Sequence, residues 1–72
     1  MNLKKATNIH CIGIGGIGLS AIAQILHEQG KKLSGSDLFP SELTSSMKNS
    51  GIKIYYTHEP ENILKNTQLV IY

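Results

Sequence analysis

Four glycines fall within six residues of this chain, in the stretch HCIGIGGIGLSAIAQIL over 10–26. The short, β-branched run over 8–14 that leads into them predicts a buried parallel strand. The apolar residues that follow recur at three- and four-residue spacings, which predicts a helix over 16–29. A strand that turns into a helix through glycines indicates an α/β fold.

The glycine loop satisfies the pattern G-x-G-x-x-G with Gly13, Gly15 and Gly18. In such a loop the first glycine allows a tight turn, the second lets the backbone approach a pyrophosphate, and the third lets the helix pack against the strand. Gly16 widens that approach, and Ser20 offers a hydroxyl donor. Because amides at a helix N-terminus attract anions, the loop predicts a nucleotide phosphate site. Glycines that serve packing alone are the alternative.

An acidic residue follows the loop at the spacing that nucleotide-binding folds use. Asp37 comes about 20 residues after Gly18, at the end of a second predicted strand over 31–37. A carboxylate there can accept hydrogen bonds from ribose hydroxyls or a base N–H. The alternative is a turn-forming aspartate ahead of Leu38, Phe39 and Pro40.

The rest of the chain alternates further strands with short helices. Gly30 is predicted to cap the first helix, and Leu43 and Met47 to share the buried side of the second. The other predicted elements are a helix that starts at Pro40 and Ser41 and ends at Gly51, a strand over 52–56, a helical turn after Pro60 and a strand over 68–72. The order β-α-β-α-β-turn-β predicts a Rossmann-like parallel sheet with right-handed crossovers. We expect residues 1–72 to form one incomplete domain, the first piece of a longer protein.

Composition narrows the range of partners. The seven basic residues are all lysines, spread too thinly for a nucleic-acid surface, and the formal net charge is +2. Without arginine, a phosphate must be held by backbone amides, hydroxyls or a lysine. No apolar run approaches the roughly 20 residues of a membrane span, so we expect a cytoplasmic protein. Cys11 is expected to be a buried strand cysteine, and the three histidines lack metal-ligand spacing, so no metal site is predicted.

Four motifs in series, the glycine loop, SGSD, SELT and HEPENI, resemble the N-terminal domain of the Mur ligases over nearly the whole chain. The resemblance is strongest to members that join L-alanine to UDP-N-acetylmuramate. It implies that the domain holds the UDP part of that substrate, with no nicotinamide cofactor. The diphosphate would lie on Gly15, Gly16, Ile17 and Gly18, near Ser20.

The same resemblance implies roles for residues beyond the loop. Asp37, with Ser36 beside it, would face the uridine. His58 and Asn62 match a histidine and an asparagine of the family and are candidates for the rim of the uridine pocket. For His58 the alternative is a loop histidine that caps the turn before Pro60.

The family's reaction belongs to peptidoglycan synthesis, and so to cell-wall formation, cell shape and cell division. ATP and magnesium phosphorylate the muramate carboxylate, and the amine of L-alanine then attacks the acyl phosphate. Those steps need a G-x-x-x-x-G-K-[ST] loop, which does not occur in these 72 residues. The resemblance therefore implies an ATP-dependent ligase in which this segment anchors the substrate, binds no cofactor and supplies no catalytic group.

Three other functions compete with this one. A nicotinamide-dependent dehydrogenase or regulatory NAD-binding module would account for the glycine loop and Asp37, but it leaves SELT and HEPENI unexplained. A ligase that reattaches a peptide to UDP-N-acetylmuramate is a close variant, but that relative carries a cysteine inside its glycine run. A structural fragment without a ligand is the third.

Overall fold

The chain forms a four-stranded sheet with two helices, seen in a computed structural model that describes residues 5–72. Lys4, from the first lysine pair, lies outside the described residues. In chain order the elements are β1 (Asn8–Ile12), α1 (Ile17–Glu28), β2 (Lys32–Ser36), α2 (Glu42–Asn49), β3 (Lys53–Tyr55), a 3-10 turn (Pro60–Asn62) and β4 (Leu69–Ile71).

The strands lie in the order β3-β2-β1-β4, and every pairing is parallel. In the register of β1 and β2, His10 lies beside Ser34 and Cys11 beside Gly35. The Rossmann-like fold and the element order predicted from the sequence are confirmed. None of the described helices is long and apolar enough to cross a membrane.

One face of the sheet carries the apolar core. Ile9 and Cys11 of β1 are buried there in one cluster with Ala23 of α1 and Met47 of α2. Helix α1 packs against β2, and α2 packs against β3. Burial raises the pKa of the Cys11 thiol to about 11, so the thiol stays neutral, and the predicted buried strand cysteine is confirmed.

Element ends differ from the predictions where backbone geometry decides them. Strand β1 ends at Ile12, earlier than predicted, because Gly13 turns the chain at φ +81°. The predicted pairing of Leu43 with Met47 on the buried side of α2 is wrong, since Leu43 is 39% exposed and Thr44 is fully buried in its place. A short helix presents residues three apart to the core as readily as residues four apart.

The side chain of Gln68 joins the beginnings of β1 and β4. Its Oε1 accepts hydrogen bonds from the Thr7 amide at 2.6 Å, the Thr7 hydroxyl at 3.0 Å and the Asn8 amide at 3.2 Å. The backbone amide of Gln68 donates to the Asn8 carbonyl at 2.8 Å. The two strands are therefore fixed together at their N-terminal ends.

Candidate functional site

The glycine loop lies at the carboxyl end of β1, and the connections that lead to its two neighbouring strands, β2 and β4, lie on opposite faces of the sheet. Helix α1 carries the chain from β1 to β2 over the core face. The segment 56–68 carries it to β4, on the other side of β1, and part of that segment lines a pocket with His10 and Ile12 on the opposite face. Ligands of open α/β sheets bind at such a switch point.

Internal hydrogen bonds take up the first four amides of the loop. Gly13 and Ile14 both donate to the carbonyl of Ser36, at 2.8 and 3.0 Å. Gly16 donates to the carbonyl of Gly13 at 3.0 Å, and Gly15 donates to Oδ2 of Asp37 at 2.9 Å. The loop is therefore held in shape from within. In this structure the amides of Gly15 and Gly16, both predicted to contact phosphate, already have acceptors.

The amides that follow in α1 have no such acceptors. The first bond of the helix runs from the Ser20 amide to the Gly16 carbonyl at 2.8 Å, so the amides of Ile17, Gly18 and Leu19 precede the helical ladder. Gly16 is the N-cap residue and supplies no side-chain acceptor, and the first turn contains no acid. Gly16, Ile17 and Gly18 are exposed. The N-terminus of α1 thus presents three amides and the positive end of the helix dipole to solvent.

Helix α2 begins in the opposite way. The Ser41 hydroxyl accepts from the Thr44 amide at 3.2 Å, and the Thr44 hydroxyl accepts from the Ser41 amide at 2.9 Å. Glu42 places a carboxylate in the first turn. This reciprocal pair is a capping box, which gives an acceptor to the third amide of the helix, the position that Leu19 holds in α1. One helix start is closed by its own side chains, and the other is open to an anion.

Asp37 is bonded to backbone through both carboxylate oxygens. Oδ2 accepts from the Gly15 amide, and Oδ1 accepts from the Phe39 amide at 3.0 Å. The second bond is the turn-forming role that stood as the alternative for this residue. The first bond joins the aspartate to the glycine loop, a contact that the sequence reasoning did not predict.

The structure confirms the predicted role of one glycine of the loop and gives different roles to two others. Gly13 does make the tight turn, at φ +81°. A Cβ on Gly15 would lie 2.7 Å from Oδ2 of Asp37, so Gly15 makes room for the chain's own carboxylate. A Cβ on Gly18 would meet nothing within 4 Å, so the predicted helix-to-strand packing role of Gly18 is wrong. Gly35 instead lets the loop approach the sheet, since a Cβ there would lie 2.5 Å from Cδ1 of Ile14.

Two predicted hydroxyl ligands are directed inward. Ser20 is buried, and its hydroxyl donates to the Ile17 carbonyl at 3.0 Å. Ser36 is buried as well, and its hydroxyl lies 2.7 Å from Nδ1 of His58. The structure thus brings Ser36 and His58 together, and their predicted contacts with a uridine stay predictions.

A pocket of about 280 Å³ lies on the face of the sheet opposite the core. Its lining comes from β1, β2 and the 58–63 segment, namely His10, Ile12, Ser36, His58, Glu59, Pro60 and Ile63. Ser36 connects this pocket to the glycine loop, because its side chain lines the pocket and its carbonyl holds the loop.

His10 belongs to this pocket, although the sequence reasoning assigned it no role. It is 1% exposed, and its Nδ1 lies 2.7 Å from the Ser34 hydroxyl. Burial, and then the neighbouring His58, lower the pKa of His10. The signal was present in the sequence, because the two-residue period of parallel strands puts His10, Ser34 and Ser36 on one face.

Asn62 is not among the residues that line the pocket. It is buried in the 3-10 turn, and its Nδ2 donates to the Thr57 carbonyl at 2.6 Å. This bond closes the turn that carries His58. The structure therefore gives Asn62 a supporting position, and its predicted contact with uridine stays a prediction.

The parallel sheet, the glycine-rich strand-to-helix loop and the acid at the end of β2 define a Rossmann-like α/β protein. Residues 8–72 match the family described as "Mur ligase family, catalytic domain". The chain belongs to the Mur ligase family.

Curated relatives agree with this assignment. The chain is 54% identical over 65 residues to the UDP-N-acetylmuramate–L-alanine ligase of Campylobacter jejuni serotype O:2, which is 90% of this chain and 15% of the relative. The proteins of the same name are 51% identical over 69 residues in Aquifex aeolicus and 44% over 72 residues in Agathobacter rectalis, covering 96% and 100% of this chain and 15% and 16% of those relatives. The chain thus spans about 15% of the length of the relatives that it matches.

Proposed function

We propose that this chain is the UDP-binding segment of a UDP-N-acetylmuramate–L-alanine ligase of peptidoglycan synthesis, a cytoplasmic enzyme. The observation that carries the proposal is the open start of α1 at the switch point, with three amides that precede the helical ladder and no side-chain cap. The names of the relatives supply the substrate class.

The diphosphate is assigned to the amides of Ile17, Gly18 and Leu19. Leu19 joins the predicted set because its amide precedes the helical ladder, whereas Gly15 and Gly16 act by shaping the loop. An anion at this position gains about 0.3 to 1 kcal/mol from the helix dipole in addition to its hydrogen bonds. The uridine is assigned to the side of Asp37, Ser36 and His58, where β2 ends.

The chemistry of ligation is assigned to other parts of the enzyme. ATP and magnesium would phosphorylate the muramate carboxylate, which L-alanine would then attack. The residues described here do not fit a site for ATP and magnesium. The 72 residues contain no G-x-x-x-x-G-K-[ST] run, and residues 5–72 hold no cluster of three or more potential metal ligands. Binding of the distant UDP group contributes to rate by placing the reacting carboxylate.

Calorimetric titration of the intact protein tests the proposal. We expect saturable binding of UDP-N-acetylmuramate and of UDP, and no binding of NADH, since the resemblance assigns this site to UDP. Saturable NADH binding without any response to the UDP ligands would instead support a nicotinamide-binding module. The absence of binding to all three would support a structural role.

A further inference from the structure

We propose that Asp37 is a positioning residue, which holds the glycine loop in the shape that binds phosphate. This role differs from contact with the sugar, which the spacing of the motif predicts. The inference rests on the proposed function, because it concerns the same anion site.

The carboxylate of Asp37 ties two loops together. Oδ2 accepts from the Gly15 amide at 2.9 Å, and Oδ1 accepts from the Phe39 amide at 3.0 Å. These bonds connect the loop after β1 to the turn after β2. Gly15 lies two residues before Ile17, whose amide is the first of the three open ones, so the direction of those amides depends on how Gly15 is held.

Packing around Gly15 supports the same role. A Cβ on Gly15 would lie 2.7 Å from Oδ2 of Asp37 and 3.0 Å from Cγ2 of Thr44. Thr44 is fully buried, and its hydroxyl belongs to the cap of α2. Gly15 is therefore enclosed between the aspartate and the first turn of α2. Gly15 and Asp37 form one unit, in which the missing side chain of one accommodates the carboxylate of the other.

The two possible effects of the Asp37 carboxylate on phosphate binding have opposite signs. A negative carboxylate beside a phosphate site repels the ligand, so removal of its charge alone would tighten phosphate binding. If the carboxylate instead holds the loop, its removal releases Gly15 and weakens phosphate binding. The sign of the change in affinity therefore identifies the role.

The test uses the intact protein, with UDP titrated by calorimetry and inorganic pyrophosphate as a competitor. We expect Asp37→Ala and Gly15→Ala each to lower the affinity for both ligands about tenfold or more. This is the effect of losing a hydrogen bond to a charged group. The double variant should lose no more than the more severe single one, because both changes break one contact. Asp37→Asn, which keeps one acceptor oxygen, should give an intermediate loss.

Ser41→Ala is the matched control, since it removes the cap of the neighbouring helix without touching Asp37. We expect it to lower the unfolding temperature and leave pyrophosphate affinity unchanged. Unchanged or tighter pyrophosphate binding in Asp37→Ala, additive losses in the double variant, or an equal loss in Ser41→Ala would overturn the inference. UDP binding by the unmodified protein without competition from pyrophosphate would also overturn it. A protein that binds NADH and neither UDP nor pyrophosphate would refute the proposed function itself.

Discussion

Single glycines decide how closely the parts of this molecule approach each other. Gly35, in the middle of β2, lies against the loop and against β1, since a Cβ there would be 2.5 Å from Cδ1 of Ile14 and 2.8 Å from the Cys11 carbonyl oxygen. Ile14 is itself fully buried, although it lies in the loop. The absence of one side chain thus lets the glycine loop lie against the centre of the sheet.

We expect Gly35→Ala to lower the free energy of unfolding by about 1–3 kcal/mol, because backbone and a buried side chain must move to accept the methyl group. Urea denaturation followed by circular dichroism measures the change. Gly18→Ala is the control and should lose no stability, since its Cβ would meet nothing within 4 Å. A Gly35→Ala variant as stable as the unmodified protein would show that the sheet and loop adjust without strain.

At the level of elements, the two helices differ most at their first turns. Helix α2 is closed by Ser41, Thr44 and Glu42, whereas the N-cap residue of α1 is Gly16, which supplies no side-chain acceptor. A helix start whose N-cap is glycine is less stable than one with a side-chain cap by roughly a few tenths of a kcal/mol. The chain therefore keeps α1 in a less stable form at the point where we place the ligand.

Gly18→Ala should have opposite effects on stability and on binding. Alanine in the first turn of α1 should raise the free energy of unfolding by up to about 1 kcal/mol through helix propensity. Its Cβ points toward the helix N-terminus, where the diphosphate would lie, so the affinity for UDP should fall. Thermal unfolding and UDP titration of the same variant measure both effects.

The control for Gly18→Ala is Ser41→Ala, which should lose about 1 kcal/mol of stability without a change in UDP affinity. If Gly18→Ala binds UDP as tightly as the unmodified protein, the diphosphate does not lie at the start of α1.

The sequence predicted the elements well and the contacts of the site less well. The spacing of apolar residues and the positions of turn residues identified every strand and helix. The positive φ angles of Gly30 and Gly51 confirm both predicted helix ends. The partners of the Gly15 amide and the Ser36 hydroxyl were not predictable, because each partner is 22 residues away in the chain and is set by tertiary packing. Spacing therefore located Asp37 but did not reveal its bond to the loop.

At the scale of the whole molecule, the buried His10 makes stability depend on pH. Burial and His58 lower the pKa of His10 in the folded protein, whereas the unfolded chain keeps a histidine pKa of about 6.5. Above that pH both states are neutral at this residue, and the contribution to stability is fully present. As the pH falls below it, the unfolded state binds the proton first, so stability is lost.

We expect the free energy of unfolding to decrease from pH 7.5 to pH 5.5, and His10→Gln to reduce that decrease. The slope of the free energy of unfolding against pH is compared, not its value, because the variant also loses the bond to Ser34 and is less stable at every pH. Urea denaturation at a series of pH values provides the slopes. Equal slopes for both proteins would mean that His10 does not titrate on unfolding in this range.

The bonds of Gln68 to Thr7 and Asn8 have a consequence for the order of folding. They join residues about 60 positions apart, whereas the glycine loop closes on Ser36 and Asp37 over about 22. The entropy of closing a loop grows with its length, and contacts between distant residues form more slowly. We therefore expect the glycine loop to assemble early, within the first β-α-β unit. The pocket beside it also needs the 58–63 segment, which follows later in the chain, so we expect the proposed anion site to form before the pocket is complete.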